Sequence, residues 1–135
     1  VKGLLADANI QGQVDLLVVR MRAEPWKLFW DDMKLCCYHF TDVGLAADAL
    51  DSLVWETCQT EQLILLTDNR NKKGEDSLEA TIQSRNSPTS LPVFTIGNVR
   101  QLNVSRQYAD RVIDRLFDAL ERIDDLRGAG RLFLP

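Results

Sequence analysis

Four short apolar runs, each parted from the next by a segment of helical periodicity, leave this chain few architectures. Residues 3–8, 35–40, 62–67 and 93–96 read as strands, the last opened by Pro92 and halted at Gly97. The first is apolar almost throughout, as a strand buried on both faces should be. Between the first two runs, Ile10, Val14, Leu17, Val18 and Met21 recur at the spacing of one helical face. Pro25 then stands where a second helix would begin, running through Trp26, Phe29, Trp30 and Met33. Residues 47–60 predict a third helix, with Leu50, Leu53, Val54, Thr57 and Cys58 on its apolar face, and residues 77–85 a fourth through Leu78 and Ile82. Ser105 suits the N-cap of a last helix whose face is Ala109, Val112, Ile113, Leu116, Phe117, Leu120 and Ile123, and which Gly128 and Gly130 end. Alternation of this kind predicts an α/β fold, a three-layer sandwich around a mostly parallel sheet of four or five strands.

The chain has 135 residues, the size of one domain, and no linker or repeat divides it, so residues 1–135 are expected to form a single unit. A net charge of −4 argues against a general electrostatic grip on a polyanion, although Arg70, Lys72 and Lys73 make one local basic edge. Three cysteines, two of them adjacent, suit a reducing compartment better than a disulfide framework. With one histidine and no Cys-x-x-Cys spacing, a zinc site is poorly supplied. No apolar run approaches the ~20 residues of a membrane span and no signal peptide is evident, so a cytoplasmic protein without a membrane partner is expected.

The chemistry-bearing residues fall where strands end. Asp7 and Asn9 follow the first run, and Thr67-Asp68-Asn69-Arg70-Asn71 follows the third. Asp48 and Asp51 stand at the start of the third helical segment. The carboxyl ends of parallel strands form the crevice where such sheets bind ligands. Carboxylates gathered there would either bind a hard divalent cation or repel one another. Ordinary structural duties compete for the same residues. Asp7 and Asn9 suit a turn, Asp48 with Asp51 comes close to a capping box, and Ser77 suits a helix cap. Trp26, Phe29 and Trp30 at helical spacing suit a core or dimer contact better than a base-stacking platform.

The order of these motifs resembles PIN-like domains, in particular the small stand-alone bacterial branch related to the toxin ribonucleases of toxin–antitoxin pairs. The resemblance rests on the strand-Asp7-x-Asn9 segment and the Val43-Gly44-Leu45 turn. It rests equally on Asp51 seven residues before Cys58, and on Leu65-Leu66-Thr67 sixteen residues after Asp51. It covers about residues 3–97. It implies that Asp7 is the first metal carboxylate and Asp51 the second, with Thr67 orienting the site. Asn69 and Asn71 stand where the family's two further acids usually stand. An amide oxygen can ligate a metal but carries no charge and cannot act as a base. Asp68, one position off, or Asp76 would then supply the missing charge.

Two functions of different class follow from the resemblance. The first is a nuclease acting on RNA, with Mg²⁺ or Mn²⁺ held by Asp7, Asp51 and Asp68 or Asp76. Asn9, Asp48, Thr67, Asn69, Asn71 and Ser77 would support that site, and Arg70, Lys72 and Lys73 would position phosphates. The second is a PIN-like module that kept the fold and lost the chemistry, binding nucleic acid or a protein partner, or forming a homodimer. A hydrolase of small phosphate esters would share the metal logic, but no segment speaks for its substrate.

Overall fold

The computed structural model describes residues 1–70, Gly74 and residues 77–135. Expectations placed on Asn71, Lys72, Lys73 and Asp76 lie outside the described residues.

Strand β1 (Gly3–Ala6) leads through a short 3-10 turn, Ala8–Ile10, into α1 (Gln11–Met21), and α2 (Lys27–Met33) precedes β2 (Cys36–Tyr38). After them come α3 (Asp51–Glu61), β3 (Leu63–Thr67), α4 (Leu78–Arg85) and β4 (Val93–Ile96). The chain closes with α5 (Arg106–Glu121), α6 (Ile123–Leu126) and β5 (Arg131–Leu134). The sheet runs β2-β1-β3-β4-β5 and every neighbouring pair is parallel. No helix among the described residues is long and apolar enough to cross a membrane.

Alternate strand residues serve opposite cores, which makes the fold a three-layer sandwich. Leu4, Ala6, Ile64, Leu66, Phe94 and Ile96 pack with α1, α2 and α5. Leu5, Leu63, Leu65 and Val93 pack with α3 and α4. A strand buried from both sides has no polar face to show, so β1, β3 and β4 read as nearly unbroken apolar runs. Gly3 permits the close pairing of β1 with β2, because a Cβ there would lie 2.2 Å from the Cys36 carbonyl oxygen. The best-patterned helix is α5. Ser105 caps it by accepting the Tyr108 N–H at 3.2 Å, and it buries Val112, Ile113, Leu116 and Phe117.

Several boundaries differ from the sequence expectation. Pro25 does not open α2, which starts at Lys27. The second strand stops at Tyr38, because the His39 N–H donates to Asp42 Oδ2 at 2.8 Å and turns the chain into a 3-10 turn, Phe40–Val43. Helix α3 begins at Asp51 rather than residue 47, and its buried face is Val54, Trp55 and Cys58, leaving Leu50 and Leu53 exposed. Val54 and Cys58 keep the expected inward face, and Trp55 rather than Leu53 completes it. The last expected helix breaks at Arg122 into α5 and α6, and β5 supplies a fifth strand that periodicity did not mark.

Candidate metal centre

Two strands neighbouring in the sheet but far apart in the chain bring the acids together. From β1 the chain crosses first to β2 on one side, then to β3 on the other, so the order reverses between β1 and β3. In open parallel sheets that reversal is where ligands bind, outside the carboxyl ends of the strands. Asp7 directly follows β1, and Thr67 ends β3. Asp7, Ala8, Asn9, Ala49, Asp51, Asp68, Asn69 and Arg70 line one crevice of about 460 Å³ at this edge, with Phe40 and Val54 forming part of its wall.

A chain of hydrogen bonds fixes the acids within it. The Asp7 N–H extends the β1–β3 ladder by donating to the Leu66 carbonyl at 3.0 Å. Its carboxylate accepts the Thr67 hydroxyl at 2.5 Å, and the Asn69 N–H donates to that same hydroxyl oxygen at 2.9 Å. The Asn69 side-chain amide reaches across to Asp51 Oδ2 at 3.0 Å, where the Leu78 N–H also donates, at 3.1 Å. Asp51 thus sits in the first turn of α3, where the helix dipole favours an anion, and also satisfies the first backbone donor of α4. Asp68 accepts from the Asn9 amide at 3.1 Å on the open side of the crevice.

Burial raises the Asp7 carboxyl above its usual range. Hydrogen bonds from Thr67 and from the Ala8 backbone oppose the rise, and the charges of Asp51 and Asp68 add to it. The carboxylates therefore feel one another. Beneath them Cys58 is a core residue, 2% exposed, and burial chiefly, with the Asp7 charge second, pushes its thiol up to about 12.

Of the residues singled out from sequence, Asp7, Asn9, Asp51, Asp68, Asn69 and Arg70 line the crevice, and Thr67 anchors Asp7. Asp48 does not join them. It stands exposed ahead of α3, whose N-cap position is Leu50 with no side-chain cap. Ser77 is buried and caps α4 by accepting the Ala80 N–H at 3.1 Å. The Arg70 guanidinium donates to the Gly97 carbonyl and lies 5.9 Å from the centre of the Phe133 ring.

Sequence reading missed Arg131. Its side chain is only 9% exposed, and Nη1 donates to the Asn69 carbonyl at 2.9 Å and to Thr95 Oγ1 at 2.5 Å. Nε donates to Glu79 Oε2 at 3.1 Å. Nη2 is equally near that oxygen but outside hydrogen-bonding geometry. Arg131 thus braces from behind the turn that carries Asn69. The one signal in the sequence was an arginine heading the short apolar run Leu132-Phe133-Leu134.

The donor set suits a hard cation in part. Asp7 and Asp51 offer carboxylate oxygens, and each carboxylate has about four lone-pair sites, so the hydrogen bonds they accept do not exhaust them. Mg²⁺ is commonly held by one or two carboxylates and several waters. No group of three or more His, Cys, Asp or Glu side chains among the described residues is arranged to hold a metal. Comparison with protein families, curated proteins and solved structures finds no match to this chain.

Proposed function

We propose that this protein is a PIN-like, metal-dependent nuclease acting on RNA, with Mg²⁺ or Mn²⁺ held by Asp7 and Asp51. The observation that supports it most is the convergence of Asp7, Asp51 and Asp68 on one crevice at the strand-order reversal, beside the cationic Arg70. A bound divalent cation supplies an activated water and neutralises charge on the attacked phosphate. The chain's own residues do the rest. Thr67 fixes the Asp7 carboxylate, Asn69 holds Asp51 across from it, and Asp68 adds a third negative charge at the mouth. Arg70 offers a fixed positive charge to a flanking phosphate. All three cysteines are free, which supports a reducing, cytoplasmic setting.

One observation favours a second reading, the module without chemistry. At position 69 an amide donates to Asp51 where another carboxylate would complete a cluster. Calorimetric titration with Mn²⁺ and cleavage of single-stranded RNA, on the natural protein and on Asp7→Asn, separate the two. The nuclease binds the ion and cleaves, and Asp7→Asn does neither. RNA binding with neither ion binding nor cleavage in the natural protein would establish the module instead.

A further inference from the structure

A second groove opens beside the acid crevice, between α4 and β5, with a volume of about 440 Å³. Arg70, Gln83, Asn86, Gly130, Arg131 and Phe133 are among its lining residues, and Arg70 lines the crevice as well. The two depressions therefore meet at one cation. Along β5, Leu134 is buried with α1 and α5, and Leu132 packs against the same core. Strand alternation turns Phe133 to the other face of the sheet, the α3–α4 side. Among the described residues no helix covers it there, and Phe133 is 55% exposed. The Arg70 guanidinium lies 5.9 Å from its ring centre, and that guanidinium is tied to the Gly97 carbonyl. Arg131 lies at the back of the groove, fixed by Glu79 and Thr95.

We propose that this groove is a base-binding subsite in which an unpaired nucleobase stacks on Phe133, while the phosphate joining it to the nucleotide in the crevice lies at Arg70. The inference rests on the nuclease reading above and adds to it a base contact outside the crevice. An exposed ring with a cation over it presents what single-strand binders use, an aromatic platform flanked by positive charge. Charge complementarity selects the occupant, because a strand leaving the carboxylates must carry its phosphates past Arg70. A volume of this size also falls within the range of small-ligand sites. A duplex does not fit the same chemistry, since its base faces are already stacked on their neighbours and only splayed bases offer a free face.

The test is binding of a fluorescein-labelled six-nucleotide RNA in EDTA, where no cleavage occurs, to the natural protein, Phe133→Ala and Phe133→Trp. Mn²⁺ affinity and thermal melting are measured on each. Removing one stacked base should weaken binding by roughly 5- to 150-fold in Phe133→Ala. Phe133→Trp should bind as well as the natural protein or better, and Mn²⁺ affinity should be equal in all three. Single-stranded DNA of the same sequence should suffer the same loss, because stacking ignores the sugar. Equal RNA affinity in the natural protein and Phe133→Ala overturns the subsite and leaves the nuclease reading standing. Tighter binding of a blunt duplex than of the single strand also overturns it. Absence of RNA binding by the natural protein both in EDTA and with Mn²⁺ bound, without cleavage, overturns both.

Discussion

The side-chain amide of Asn69 donates to Asp51 Oδ2 at 3.0 Å, so a neutral donor holds the second carboxylate in place. Asn69→Asp keeps the shape and reverses the sign of that contact. Without metal, two carboxylates would face each other, and stability at neutral pH should fall by about 1–2 kcal/mol. With Mn²⁺ present the loss should vanish, and the ion should bind at least about tenfold tighter. Melting curves with and without Mn²⁺, paired with calorimetry, check both halves. Unchanged affinity would show that position 69 faces no ion.

Asp7 carries a pH signature. Its folded-state pKa is raised above the usual 3.8. The protonated form is thus favoured by folding, and its stabilising effect is complete below the usual value and lost as pH rises through the raised one. Asp7→Asn mimics the protonated form and can still accept the Thr67 hydroxyl. It should melt higher than the natural protein at pH 7 without metal, and the gap should close as pH falls towards 3.8. Denaturation across that window measures it, and a mutant that melts lower at pH 7 contradicts it.

Arg131 should matter to stability out of proportion to its place near the chain's end. Arg131→Met leaves Glu79 without its partner and releases the Asn69 carbonyl and Thr95 hydroxyl. A loss of about 3 kcal/mol is expected, as for breaking a buried ion pair from one side. Arg131→Lys should recover only part of it, because an ammonium cannot reproduce the planar fork. Urea titrations of both variants give the comparison.

Two side chains that accept backbone N–H groups at the start of α4 should part company. Ser77→Ala removes the cap on the Ala80 N–H and should cost about 1 kcal/mol while leaving Mn²⁺ affinity as it was. Asp51→Ala removes the acceptor for the Leu78 N–H and should cost a similar amount, but it should abolish Mn²⁺ binding. Equal metal affinity in the two variants would make Asp51 no more than a capping residue.

Strand and helix alternation made the layered sheet legible, and the acids after β1 and β3 marked the edge where the crevice lies. Long-range geometry was less legible. Asp48 and Asp51 look alike in sequence, yet only Asp51 lines the crevice, because the chain does not turn helical until after Leu50. Trp55, rather than Leu50 or Leu53, is buried beside Val54 and Cys58, a choice that depends on what packs against α3 and not on its own periodicity. Strand β5 and Arg131 escaped notice for a related reason. Four residues after two glycines carry no periodicity, and a buried arginine declares itself only through partners elsewhere in the chain.

The bond from Thr67 to Asp7 spans 60 positions of sequence. The two meet only once β1 lies against β3. The crevice exists only while those two strands are paired, so a cation held there would bind the folded chain and not the unfolded one. Such an ion would stabilise the native protein by mass action, the more so the further its concentration exceeds its dissociation constant. Were the site to hold such an ion, depletion of the ion would lower the stability of the whole sheet and not of the crevice alone.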